Sequence, residues 1–133
     1  MKLITDGCAL SINKALIKII ETELSQLESS QGDFYILNFR DPDYSSETGG
    51  FHPVEIMLNE KGIIQYITDF AYVGQGNMTE LAKEIDFDFS SDLLEHFGRC
   101  YPIEQGKELF DIWQQNFCAY YDMGVFQVTV SIE

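Results

Sequence analysis

A change of period constrains this chain more than any other feature. Apolar residues recur at every second position through Phe34–Arg40 and Pro53–Leu58, and Ile63–Val73 reads as a further strand, whereas on either side they recur at intervals of three and four. Period two places successive side chains on opposite faces of a strand, and the longer interval places them on one side of a helix. In the first strand Tyr35, Leu37 and Phe39 form one face and Phe34, Ile36, Asn38 and Arg40 the other. Val54, Ile56 and Leu58 are in phase in the second, and Asn59–Gly62 reads as a hairpin turn into the third. Upstream, Ile12, Leu16, Ile19, Ile20, Leu24 and Leu27 predict an amphipathic helix capped by Ser11 and ended by the polar cluster 29–33. Downstream, Asn77 and Glu80 stand at capping-box spacing and predict a short helix over Met78–Lys83. Ile85–Phe89 returns to period two, and Ser91 predicts a helical turn through Phe97, closed by Gly98. Leu109, Ile112, Trp113, Phe117 and Tyr120 predict a long helix over Gln105–Tyr121 with Gly124 as its stop, and Phe126–Ile132 reads as a closing strand.

These elements predict one α+β domain over residues 1–133: a mainly antiparallel sheet of about five strands with two long helices packed on one face. The strand order stays open. A length of 133 residues suits a single core, and a 45% hydrophobic content supplies it. The 22 acidic and 8 basic residues leave a net charge of −14, which repels phosphate backbones and anionic lipid, so direct nucleic-acid or membrane binding is not expected. Cys8, Cys100 and Cys118 have no close pairing, and Asp6 interrupts the first apolar run, as expected of a cytoplasmic protein.

Several segments resemble a small bacterial family, domain of unknown function 2787. They are residues 37–45, 49–56, 66–74 and 81–89, with Trp113–Phe117 and Gly124–Phe126. The resemblance spans nearly the whole chain apart from the first helix. It implies a single-domain bacterial cytoplasmic protein and carries no catalytic residues with it.

The densest mixture of functional groups lies around the double-glycine loop: Arg40, Asp41, Asp43, Tyr44, His52 and Glu55. If the flanking strands pair, Arg40 and His52 approach one sheet end, with carboxylates able to set the charge of the imidazole. Against this stands a structural reading, in which Arg40 pairs with Asp41 or Asp43, Tyr44 packs over the loop and His52 merely precedes a proline. Asp69, in an apolar strand, reads either as a buried acid or base or as an acceptor for backbone or the Tyr72 hydroxyl. The alternating oxygens of Asp86, Asp88, Ser90 and Asp92 lack the glycine and terminal glutamate of a calcium loop, and Gly74–Gln75–Gly76 lacks a third glycine or a Walker lysine. No metal or cofactor is expected from these motifs.

Three functions follow as expectations. The first is a non-catalytic interaction module with a protein partner or a second copy, since aromatics abound and no catalytic set is recognisable. The second is a small-molecule-binding protein or enzyme with a pocket near Arg40 and His52. The third is an acidic mimic of nucleic acid that occupies a DNA-handling protein.

Overall fold

The computed structural model describes residues 1–27 and 32–133. Ser29–Gln31, expected to help end the first helix, lie outside the described residues. Helix α1 covers Lys14–Leu24 and buries Leu16, Ile19, Ile20 and Leu24. Its cap is Asn13, whose side chain accepts the Leu16 N–H at 2.7 Å. Ser11, the expected cap, has another task. Its carbonyl accepts from Gln114 Nε2 at 3.1 Å, while Gln114 Oε1 accepts the Asn13 N–H at 2.7 Å. A buried amide on the second helix thus clamps the entry to the first, and asparagine, as good a cap as serine, takes the next available position.

Helix α2 covers Lys107–Asp122 and follows a 3-10 turn at Ile103–Gly106. It buries Phe110, Trp113, Gln114, Phe117 and Cys118, keeps Leu109 half-buried against the core and leaves Ile112 58% exposed, so its inward face is rotated away from the expected Ile112. Ring stacking accounts for the rotation. Phe110 and Trp113 lie 6.1 Å apart and 6° from parallel, Trp113 and Phe117 5.0 Å and 9°, and Phe117 continues to Phe126 at 5.4 Å. Flat rings bury more apolar area than isoleucine, and each pair adds about 0.5–1.5 kcal/mol.

Among the described residues the sheet has seven strands rather than five, all antiparallel. They are β1 (Phe34–Arg40), β2 (Val54–Asn59), β3 (Ile64–Val73), β4 (Glu80–Asp88), β5 (Leu93–His96), β6 (Arg99–Pro102) and β7 (Gln127–Ile132), in the order β6-β5-β4-β3-β2-β1-β7. Two expected helices are strands. In place of a helix over Met78–Lys83 there is a 3-10 turn at Gly76–Met78, and Glu80–Lys83 pairs with Phe70–Val73. Glutamate, leucine, alanine and lysine prefer helix, but a helix here would strip the end of β3 of its backbone partners, which outweighs a propensity of a few tenths of a kcal/mol per residue. Likewise Ser91–Phe97 forms no helical turn. Asp92 (φ 56°) bends the chain into β5, and Phe97 (φ 51°) with Gly98 (φ 78°) makes the two-residue hairpin into β6. Positive φ at both central residues is the twist-compatible choice for such a loop, so Gly98 is a turn residue and not a helix stop.

One face of the sheet carries Tyr35, Leu37, Phe39, Val54, Ile56, Leu58, Ile67, Phe87 and Leu94, which share a single core with both helices. Phe87 meets Phe110 at 4.8 Å and Phe39 meets Phe117 at 5.0 Å, both edge-on. The alternate residues, including Glu55, Tyr66, Thr68 and Asp86, occupy the face turned away from the helices.

Candidate functional site

The loop from β1 to β2 is built from its own polar groups. Asp41 accepts the N–H of Asp43 at 2.9 Å and of Phe51 at 3.0 Å, drawing the two ends of the loop together. Gly50 sits at φ 136°, where a Cβ would lie 2.8 Å from Asp41 Oδ2 and 3.0 Å from Tyr44 Cα, so this position tolerates only glycine. Tyr44 stacks on Tyr72 at 5.2 Å, and its hydroxyl accepts the Tyr72 N–H at 3.1 Å, pinning the loop to β3. Phe70 donates its N–H to the Pro53 carbonyl at 2.9 Å. Together these contacts hold His52 against β3.

There His52 Nδ1 stands 3.1 Å from Asp69 Oδ1 and 2.8 Å from Glu84 Oε2. The other Asp69 oxygen accepts the Trp113 indole N–H at 2.9 Å. Glu84 reaches this point through a β-bulge. Asp69 pairs with Ile85 and Phe70 with Lys83, which leaves Glu84 as an extra residue in β4. Strict alternation would put Glu84 on the same face as Asp86; the bulge turns it toward His52, a re-aiming for which such irregularities are suited. The same shift explains why Lys83 and Asp86, three apart in one strand, form an ion pair at 3.6 Å on the far face.

Electrostatics at the site favour the imidazolium. The hydrogen bond to Asp69 holds the His52 pKa above that of a free imidazole, and the charges of Asp69 and Glu84 add to this against partial burial. Beside the pair a concave pocket of about 310 Å³ opens. Phe51, Trp113, Phe117, Tyr120 and Phe126 form its walls, Val54 part of its floor, and His52 and Asp69 its polar end. Phe51 and Tyr120 pack at 4.6 Å and brace the wall.

Of the residues singled out in the sequence, the structure gathers Tyr44, His52 and Asp69, with the Tyr44 and His52 rings 5.3 Å apart. Arg40 stays outside. It is exposed at the end of β1 beside inward-facing Phe39, so its side chain starts on the opposite face from His52, and among the described residues it forms no ion pair with Asp41 or Asp43. Asp41 serves the loop and Asp43 is exposed. Glu55 lies on the far face and accepts from the Tyr66 hydroxyl. Asp69 serves His52 and Trp113, not Tyr72. Sequence reasoning missed Glu84, because nothing local announces a bulge. Trp113 and Tyr120 enter the sequence reading only as helix positions, although a tryptophan needs a partner for its N–H when buried, which is a usable signal.

The far face holds a second carboxylate. Asp86, 8% exposed, accepts the Thr68 hydroxyl at 2.8 Å, and burial pushes its pKa up against the help of Thr68 and Lys83. Direct pairing with Thr68, 1% exposed, encloses it.

Fold and site define a single-domain α+β protein with an aromatic pocket ending in a His–Asp–Glu cluster. Among the described residues no helix is long and apolar enough to cross a membrane. The chain belongs to the family described as protein of unknown function (DUF2787), whose model matches residues 14–131. A hypothetical protein from the VSP-II pathogenicity island of Vibrio cholerae is 35% identical, with a TM-score of 0.80 over 94% of this chain and 97% of its own. A conserved hypothetical protein from pathogenicity island VPI-2 of the same organism is also 35% identical, with a TM-score of 0.81 over 93% of this chain and 97% of its own. That second protein is described as sharing structural homology with the human P32 protein. No functionally curated protein matches the chain.

Proposed function

We propose that the protein is a non-catalytic interaction module that binds a partner polypeptide by taking one of its large apolar side chains into the pocket over α2. The observation that carries this reading is the chemistry of the lining. The walls are aromatic, the residue class that dominates binding hot spots. A volume of about 310 Å³ matches one bulky side chain better than an extended metabolite. The polar end at His52 and Asp69 is placed to orient polar groups flanking the anchor, and a net charge of −14 steers basic partners toward the molecule.

A small molecule would use the same pocket without Arg40. The nucleic-acid mimic draws less support, since Glu23, Asp41, Glu55, Asp69, Glu84 and Asp86 are engaged by internal partners instead of forming a free stripe.

Selection of a phage-displayed peptide library against the protein tests the reading. The expected result is a set of binders sharing one large apolar anchor, whose affinity falls at least about tenfold in Tyr120→Arg, which places a charge in the pocket wall, and is unchanged in Glu95→Arg on the far face. Binders without a common anchor, or binders indifferent to Tyr120→Arg, would defeat it.

A further inference from the structure

We propose that His52, Asp69 and Glu84 form a binding site for a divalent ion of the zinc class, with its open position turned to the pocket. The proposal goes beyond the peptide-binding reading and does not depend on it. Two carboxylate oxygens, from different strands, converge on one nitrogen: Asp69 Oδ1 and Glu84 Oε2 stand 3.1 and 2.8 Å from His52 Nδ1. A single N–H directs its proton along one line and serves two acceptors poorly, whereas a cation at their centre satisfies all three donors. The three ligand atoms lie within 4.8 Å of one another. Ligands bonded at about 2.0–2.2 Å to a tetrahedral ion stand roughly 3.3–3.6 Å apart, so small side-chain adjustments admit the ion.

Two further features belong to a ligand set rather than to a chance ion pair. Trp113 donates its indole N–H to the second oxygen of Asp69 and fixes the carboxylate's orientation, as outer partners of metal ligands do. Glu84 reaches the cluster only because β4 carries an extra residue there, and the Phe97 N–H donates to the Glu84 carbonyl at 3.0 Å, holding the bulge from the β5–β6 hairpin. One imidazole and two carboxylates suit zinc, and their two negative charges balance the ion. Magnesium prefers an all-oxygen octahedron and binds such a set more weakly. Three protein ligands leave a fourth position for water or for a donor atom of whatever occupies the pocket.

Loading exchanges one proton for one metal ion: Nδ1 gives up its proton to solvent and its lone pair to the ion, with no change of oxidation state. The groups facing His52 are Asp69 from β3, Glu84 from β4 and Tyr44 from the loop. Zinc affinity therefore rises with pH, by up to about tenfold per unit, while His52 is protonated, and levels once it is not.

The test is calorimetric titration of zinc chloride into the metal-stripped full chain, followed also by the fluorescence of Trp113, the single tryptophan. One equivalent should bind with a Kd well below about 100 μM. His52→Gln and Glu84→Gln should each weaken binding at least about tenfold with unchanged far-ultraviolet dichroism, and Asp86→Asn should not. Cobalt should give the visible bands of a tetrahedral nitrogen–oxygen site. Absence of saturable one-to-one binding, equal affinity in the His52 and Glu84 variants, or cobalt–thiolate charge transfer reporting cysteine ligands would overturn the proposal.

Discussion

Asp69 and Asp86 sit on neighbouring strands, on opposite faces of one sheet, and both are largely withdrawn from water, yet they are held by different kinds of partner. Asp86 is served from within the sheet, by Thr68 directly across the ladder and by Lys83 on its own strand. Asp69 is served from outside it, by His52 on a loop and by Trp113 on α2. A carboxylate satisfied by its own sheet closes a network and leaves nothing to offer. One whose partners come from two other elements sits where those elements leave a gap, and here that gap is the aromatic pocket. Burial of an acid is thus a weak guide to function, while the origin of its donors separates a structural acid from a site.

The strongest way to break this contrast is Trp113→Phe. Phenylalanine keeps the stacking between Phe110 and Phe117 but removes the one N–H that Asp69 Oδ2 accepts. Leaving a mostly buried carboxylate oxygen without its donor costs about 1–3 kcal/mol, here toward the lower end because Asp69 keeps some contact with water. Urea denaturation should show a loss of about 1–2 kcal/mol, against less than about 1 kcal/mol for Thr68→Val, where Lys83 still faces Asp86. Equal losses at the two sites would abolish the distinction.

Titration sharpens the contrast without perturbing the packing. His52 is raised above its ordinary value, chiefly by its hydrogen bond to Asp69. The folded protein therefore binds the proton more tightly than the unfolded chain. Its contribution to stability is complete below about pH 6.5, the unfolded value, and is lost as pH rises through the folded value. Asp86 is raised too, by burial, from 3.8. Its neutral form is the one the fold prefers, so its term has the same sign in a lower window: stability falls as pH climbs from about 4 through the folded value. Thermal melts across pH should show His52→Gln flattening only the neutral limb and Asp86→Asn only the acid limb. A single variant that altered both limbs would mean the two faces are coupled.

Much of the framework was legible and much of the site was not, for physical reasons that differ by segment. In β1 and β2 one face is fully buried, so period two is enforced and readable from the residues alone. The first half of β4 has exposed or half-exposed positions, so nothing enforces alternation, and helix-forming residues there gave a helical reading. β6 is four residues with no buried position, too short and too exposed to leave a pattern. His52 and Asp69 stood out by residue type, but the link from Asp69 to Trp113 spans 44 residues and exists only after α2 docks. Glu84 depends on a single inserted residue in a ladder, a matter of register that residue types do not encode.

Arg40 provides the smallest expected effect and the cleanest control. By sequence position it belongs with Tyr44 and His52, at one end of a shared pocket. The register rules this out: Phe39 is buried against Phe117 and Phe126, so the next side chain along β1 starts on the opposite face. An exposed arginine without an ion pair among the described residues contributes little, and Arg40→Ala should change stability by no more than about 0.5 kcal/mol. It should also leave the His52 titration, followed by NMR of the imidazole ring, where it is in the unaltered protein. A shift of that titration would place Arg40 within electrostatic reach of His52 and restore the Arg40–His52 pocket that the register denies.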